Sequence, residues 1–548
     1  MKSLSAELAP HGLKIYVRGD LDGNADFLAT LPEYRHVRAK AAGSCDATPA
    51  AAWRLMNEGP NVSADDGVLS LSARFAEARR IVGGVLPVAQ PPLRKGDLWP
   101  HQVSAYHFAN SHDASMLALR MGEGKSAVAV LLSVNWGCRA VLVACPKSVM
   151  AVWRREFWKH SPVDANVVVL DKGTSERKVK SADAAVRTGA ATGQMTVIVV
   201  NYETARVPTF ATWAIRQKWD LVIADESHRV GDPATATSKF MDAVGRSASR
   251  RLCLTGTPMG DPMDLFGQFQ FLDRGVFGTS FHRFRHRYAV WNQMFPKMVD
   301  KWVNQDELRE RFRLLAFRVD GEVQSLPPLM MHDIPCELGT EARAAYNDLR
   351  DQFVAEFRDG LTTATNPLVK SLRLRQIVSG FCVDDETKAI RWIDLSKQIA
   401  VEELIRGLPA DERVVVFCEF RAELEQVREI ATALKRPYGE VSGARKDLTE
   451  HAQFPDGVTI MGVQYQSGGV GIDLTRAAYV IIFSPTWSLI NWEQAIKRLH
   501  RPGQTRTTHC YRVISEGTVD EAVYKALDNK REVVDEVLES VGIGSVSV

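Results

Sequence analysis

Two stretches carry residue types spaced for phosphate chemistry. Met121-Gly122-Glu123-Gly124-Lys125-Ser126 lies between the apolar runs Met116–Leu119 and Ala127–Leu132. Glycine accepts positive φ and lets successive backbone N–H groups turn inward around an anion. A helix beginning here would add its positive N-terminal end. In that arrangement Gly122 and Gly124 shape the turn and Lys125 reaches the β- and γ-phosphates of a nucleotide. The Ser126 hydroxyl would bind Mg²⁺. The eight-residue phosphate-loop pattern is incomplete, because its first glycine position is Leu119. An ordinary loop-to-helix turn also fits the spacing. The second stretch, Asp225-Glu226-Ser227-His228, closes the apolar run Leu221–Ala224. An acidic pair at a strand end suits Asp225 as a metal-holding carboxylate and Glu226 as the group that orients an attacking water.

Those groups need a scaffold that presents loops at strand ends. Apolar runs read as buried strands at Ala140–Cys145, Thr196–Val200, Leu221–Ala224 and Arg251–Leu254, with helical candidates at Val149–His160 and Thr204–Gln217. Such alternation predicts βα units and a parallel sheet covered on both faces. Ligands of such sheets sit at the C-terminal strand ends. Residues 262 to about 390 read as mostly helical and irregular. The βα rhythm restarts with Val414–Phe417, Val458–Val463, Tyr479–Phe483 and His509–Val513. This second lobe lacks a phosphate loop of its own, since Gly468-Gly469-Val470-Gly471 is not followed by Lys-Ser. The expected fold class is α/β, with two parallel-sheet lobes, helical insertions and a small α+β N-terminal module.

The expected domains are an accessory module at 1–90 and a first lobe at 91–325, with a helical protrusion from about 262. A helical connector at 326–390 and a second lobe with a C-terminal helix at 391–548 follow. In the module, Leu13–Val17 reads as a strand and Thr48–Asn57 as a helix capped by Thr48 or Asp46.

Composition narrows the partners. The chain has 548 residues, 45% hydrophobic and 24% charged, with net charge +2. Any nucleic-acid surface is therefore a local patch. The first 90 residues hold 10 Lys/Arg and 10 Asp/Glu, which excludes a basic arm there. The eight cysteines form no C-x-x-C pair and read as buried thiols of a reducing compartment. No apolar run of membrane-spanning length and no signal-peptide core appear, so the expectation is a soluble, cytoplasmic protein.

Several blocks resemble the Swi/Snf-type ATPases of helicase superfamily two. Asp225-Glu226-Ser227-His228 resembles their Asp-Glu-x-His box. Leu98-Trp99-Pro100-His101-Gln102 resembles the adenine-reading glutamine motif. Cys145-Pro146-Lys147-Ser148-Val149, with Trp153 and Glu156-Phe157, is similar to motif Ia, and Asn201-Tyr202-Glu203 to the family's Tyr-Glu segment. Leu254-Thr255-Gly256-Thr257-Pro258 looks like motif III, and Leu374-Arg375-Gln376-Ile377 like the Leu-Arg-Gln segment. Gln494-Ala495-Ile496-Lys497-Arg498-Leu499-His500-Arg501-Pro502-Gly503-Gln504 is similar to motif VI throughout. The resemblance covers roughly residues 98–530, with the blocks in family order. It implies two RecA-like lobes and makes the truncated phosphate loop an expected form.

The resemblance implies an ATP- and Mg²⁺-dependent translocase on double-stranded DNA. Gln102 would read adenine, and Gly471 would lie in the nucleotide cleft. Arg498 and Arg501, three apart and so on one face if helical, would stabilise the transferring phosphoryl group from the second lobe. Lys147, Ser148, Thr255, Thr257 and Gln466 would face the nucleic acid, mostly through phosphates. Phe281–Tyr288 interleaves basic and aromatic residues, which suits either a nucleic-acid surface or a helix packing its aromatics inward. The module at 1–90 faintly resembles accessory modules of annealing helicases. Departures occur at Leu119-Arg120, where the family has acidic residues, and at Gln464-Tyr465, where it has Ser-Thr. Glu123 inside the loop is expected to turn away from the phosphates. A strand-separating helicase and a nucleic-acid-binding scaffold with a vestigial ATPase are the alternatives. The lack of long insertions points to a bacterial or phage source.

Overall fold

The computed structural model describes residues 3–10, 12–37, 42–59, 61–82, 93, 97–120, 122–291, 299–319, 326–358, 367–384, 387, 389–449, 452–465, 472–501 and 503–538. The chain divides into two compact units, Met1–Val323 with Val533–Val548, and Gln324–Glu532.

The first unit begins with a five-stranded sheet of β1 Leu4–Leu8, β2 Lys14–Gly19, β3 Arg35–Val37, β4 Ala42–Asp46 and β5 Val62–Ala64, in the order β3-β4-β2-β1-β5. Alternating side chains Leu4, Ala6, Ile15 and Val17 bury one face against Leu55 and Val68 of two helices, Pro49–Asn57 and Asp66–Val82. Thr48 is the cap, accepting the Ala51 N–H at 3.1 Å. The helix docks end-on onto the larger sheet's surroundings, where the Ala50 N–H donates to Asp273 at 3.2 Å. Buried Arg54 donates to the Gly275 carbonyl at 3.0 Å. A Cβ on Gly275 would lie 2.5 Å from the Ala51 nitrogen, so only glycine allows this approach.

The larger sheet of this unit is wholly parallel. Its strands are β6 Ala114–Leu117, β7 Ala140–Cys145, β8 Ala165–Val169, β9 Met195–Asn201, β10 Trp219–Asp225 and β11 Ala248–Leu254, with the short β14 Ala316–Phe317 after a hairpin of β12 Ala289–Trp291 and β13 Val299–Trp302. The order is β14-β6-β11-β10-β7-β9-β8. Every residue of β9 is buried, as expected for a strand covered on both faces.

The second unit holds another parallel sheet, of β15 Leu329–Cys336, β18 Val414–Cys418, β19 Tyr438–Val441, β20 Ile460–Gln464, β21 Tyr479–Ile482 and β22 Thr508–Ser515, ordered β15-β22-β21-β18-β20-β19. A small hairpin joins β16 Phe381–Val383 to β17 Ile390–Trp392. The fold is therefore α/β, built on two RecA-like parallel sheets.

Three expectations change. Thr204–Gln217 is two helices, Tyr202–Ala205 and Pro208–Arg216, because Pro208 has no N–H to continue the first and starts the second. Residues 329–336, expected in a helical connector, form the edge strand β15, whose free side tolerates Pro335. Arg498 and Arg501 are not helical, since their helix ends at Ile496 with Lys497 as cap.

Candidate nucleotide-binding site

Gly122 and Gly124 adopt φ of +87° and +82°, and helix Lys125–Asn135 starts immediately after. Gly124 also faces Gln102, whose Nε2 would lie 2.2 Å from an added Cβ. Gln102 is tied to the loop. Its Nε2 donates to the Glu123 carbonyl at 3.1 Å while its Oε1 accepts the Trp99 N–H at 3.0 Å. Lys125 Nζ donates to the Leu119 and Arg120 carbonyls at 2.8 and 3.0 Å, so the positions where the family carries acidic residues act here through their backbone. Glu123 is buried, and its carboxylate folds back to accept the Arg120 N–H at 2.5 Å. Ser126 follows Lys125 in the first turn of the helix and is partly exposed.

Asp225 ends β10, two strands from β6, which leads into the loop. Burial and the adjacent Glu226 carboxylate push the Asp225 carboxyl up to about 7, opposed by the Lys125 ammonium and the Trp153 indole. Trp153 Nε1 donates to Asp225 Oδ2 at 3.0 Å, and the Tyr202 hydroxyl donates to the Asp225 carbonyl at 2.7 Å. Glu226 is held at φ +51°, a left-handed conformation that costs a non-glycine residue about 1–3 kcal/mol and clusters at functional sites.

From Glu226 a polar relay runs inward. Its Oε2 lies 3.4 Å from His228 Nδ1, which in turn lies 3.5 Å from Thr255 Oγ1. Burial holds the His228 imidazole below its ordinary range. Gln268 makes a second link, accepting from the Ser227 hydroxyl at 2.7 Å and donating to the Pro258 carbonyl at 2.5 Å. His228, Gln268 and Tyr202 were not singled out as site residues in the sequence. His228 and Tyr202 fall within blocks that resemble the family's motifs, whereas only tertiary partners reveal Gln268, since a lone Gln in an apolar helix carries no local signal.

The expected nucleic-acid residues divide. Lys147 and Ser148 are exposed, in a turn that follows β7 and runs into helix Met150–His160. Thr255 and Thr257 are buried, and the Thr255 hydroxyl is spent on the Thr257 N–H and carbonyl at 3.1 and 3.0 Å. The Thr255-Gly256-Thr257 turn is thus an internal link with no outward hydroxyl at Thr255. Helix Phe281–Tyr288 packs Phe284 and Tyr288 inward, and Arg287 pairs with Glu307.

In the second unit, Arg498 is buried and its carbonyl accepts the Leu474 N–H at 3.0 Å. Glu493 pairs with Lys497 at 2.8 Å and with Arg531 at 3.4 Å. Tyr465, where the family has Ser-Thr, is buried and stacks on Phe417 at 5.4 Å. Gly471 and Gln466 lie outside the described residues.

A phosphate loop and an acidic pair at the C-terminal ends of one parallel sheet, followed by a second such sheet, define a helicase-type ATPase. The SNF2-related domain family matches residues 29–380, and the helicase conserved C-terminal domain matches residues 396–503. The chain belongs to the SNF2-related family and is a Swi/Snf-type ATPase of superfamily two. It is 24% identical over 544 residues to the human DNA repair and recombination protein RAD54-like, covering 88% of this chain and 71% of that one. It is also 24% identical over 472 residues to the Bos taurus DNA annealing helicase and endonuclease ZRANB3, covering 82% of this chain and 41% of that protein. The Sulfolobus solfataricus SWI2/SNF2 ATPase core in complex with dsDNA aligns at 22% identity and a TM-score of 0.38, over 83% of this chain and 95% of that one. Among the described residues no helix is long and apolar enough to cross a membrane.

Proposed function

We propose that this ATPase is a translocase on double-stranded DNA, driven by Mg²⁺-dependent hydrolysis of ATP to ADP and phosphate. The observation that carries the hydrolytic half is that the positive-φ glycine turn into helix Lys125–Asn135 and the Asp225–Glu226 pair at the end of β10 belong to one parallel sheet. Ser126 and Asp225 would supply oxygen donors, the type suited to a hard cation such as Mg²⁺. Bound there, the ion would neutralise charge on the β- and γ-oxygens. Lys125 holds the same phosphates, Gln102 reads adenine beside the loop, and Glu226 orients the attacking water. Arg498 and Arg501 would stabilise the charge that spreads over the transferred group, and Gly471 would serve nucleotide binding as the family resemblance implies.

Movement on DNA is supported by the order of both family domains along the chain and by relatives named for DNA repair and annealing. Lys147, Ser148 and Gln466 would touch the backbone, with little sequence preference. Thr255 and Thr257 would couple nucleotide to track through His228. We assign residues 1–90 as an accessory module and place the protein's work inside the cell, where its DNA is. The test measures ATP hydrolysis with and without duplex DNA for the wild type, Lys125→Ala and Arg501→Ala, beside triplex displacement and forked-duplex unwinding. Arg501→Ala is expected to slow DNA-stimulated hydrolysis by about 10³ while ATP still binds. Equal rates in all three proteins would refute the motor. Unwinding without triplex displacement would make it a strand-separating helicase.

A further inference from the structure

Away from the nucleotide loop, a pocket of about 500 Å³ opens between the N-terminal module and the parallel sheet. That volume lies within the range of small-molecule sites. The module contributes Ala73, Arg74 and Phe75 to its wall, and the sheet side contributes His112, Arg250 and Arg251. It lies at the N-terminal ends of β6 and β11, where Arg251 is in register with Ala114. The phosphate loop and the Thr255 turn follow the other ends of the same two strands, with β6 spanning about 10 Å.

The polar groups of this pocket are unevenly matched. Three guanidiniums, from Arg74, Arg250 and Arg251, face two carboxylates, Asp113 and Asp273. Asp113 holds Arg74 in an ion pair and lies 3.8 Å from Arg250. Asp273 already accepts the backbone N–H groups of Ala50 and Gly275, at 3.2 and 2.7 Å. Arg250 donates to the His112 carbonyl at 3.0 Å. Arg251 Nε is buried and has no acceptor among the described residues. Buried donors without an acceptor are rare in folded proteins, so Arg251 Nε offers a place for an acceptor from a ligand, an ion or water. His112 is buried, and its Nδ1 meets the Phe108 carbonyl at 2.7 Å. Burial keeps its ring neutral, so the pocket's charge sums to one positive. Phe75, Ala73 and Leu315 supply an apolar wall beside this charge.

We propose that this pocket is a second ligand site, distinct from the nucleotide site, that takes a small organic carboxylate whose anionic end meets the guanidiniums and whose apolar body lies against Phe75 and Leu315. Because its walls come from both parts, an occupant stabilises the docked position of the module by mass action. Its place on β6 and β11 gives it a short path to the loop that holds ATP.

The test uses the full chain with its nucleotide site saturated by a non-hydrolysable ATP analogue and Mg²⁺. Benzoate is the probe, titrated by saturation-transfer NMR and by thermal melting, with neutral benzamide as its isostere. Saturable benzoate binding with a rise in Tm is expected, and benzamide should bind about tenfold more weakly for want of the charged hydrogen bonds. Ala73→Trp, at an exposed module position, should fill the pocket and abolish benzoate binding without changing the benzoate-free Tm. Arg251→Leu should lose the preference for benzoate over benzamide. Non-saturable binding, equal affinities for the two probes in the wild type, or unchanged benzoate affinity in Ala73→Trp would each overturn the site.

Discussion

Trp153→Phe tests the geometry of the acidic pair most directly. The indole Nε1 is the side-chain donor to Asp225 Oδ2, at 3.0 Å, and Trp153 is buried. Phenylalanine keeps most of the ring volume and removes the donor. Hydrogen bonds to charged groups contribute about 1.5–3 kcal/mol, or about 10- to 100-fold in an equilibrium constant. The other Asp225 oxygen keeps its 3.0 Å bond from the Glu226 N–H, and Lys125 remains nearby, so the carboxylate is weakened and left in place. The Mg²⁺ concentration for half-maximal ATP hydrolysis should rise by that factor. Binding of a fluorescent ATP analogue without Mg²⁺ should stay near the wild-type value. The indole bond favours the ionised carboxyl, so in the metal-free protein its loss raises that carboxyl further. Tyr202→Phe is the control, since its bond goes to the Asp225 backbone carbonyl and bears on stability. A wild-type Mg²⁺ requirement in Trp153→Phe, with Tm retained, would show that Trp153 is only a core residue.

Gly124→Ala forces a side chain into a φ of +82° and against Gln102, at a conformational cost of about 1–3 kcal/mol before the clash. Loss of nucleotide binding with an unchanged far-UV spectrum is expected, and wild-type affinity would contradict the close approach. His112 is held to about 4 by burial, below its ordinary 6.5, against weaker pulls from the Phe108 and Leu314 carbonyls and from Asp113. Its contribution, about 3 kcal/mol, is complete above pH 6.5 and lost as the pH falls toward 4. Urea midpoints should fall across that window, and His112→Phe should flatten the fall. In the second unit, Lys397 Nζ lies 2.5 Å from Asp520 in a buried pair. Lys397→Met strands that carboxylate and should cost about 3–5 kcal/mol in urea unfolding, whereas a loss below about 1 kcal/mol would mean that water reaches the pair.

Central strands were readable because both faces are covered, which makes them continuous apolar runs such as Thr196–Val200 within β9. Edge strands were not. β8 is partly exposed along its whole length, and β15 alternates and contains Pro335, so neither carries the buried-strand signature. The spacing of Arg498 and Arg501 suggested a helix face, yet their helix stops at Ile496. Three-residue spacing is compatible with a turn as well as with a helix.

The phosphate loop, the acidic pair and the family were legible locally, because each needs particular residue types at short fixed separations: glycines for positive φ, a lysine and hydroxyl behind them, carboxylates at a strand end. Other features depended on chain crossings that no spacing encodes. Gln102 meets Glu123 across 21 residues, Trp153 meets Asp225 across 72, and Ala50 meets Asp273 across 223. A hydrogen bond depends on placement to a few tenths of an ångström, and that placement comes from how sheets and helices pack, to which distant parts of the chain contribute together.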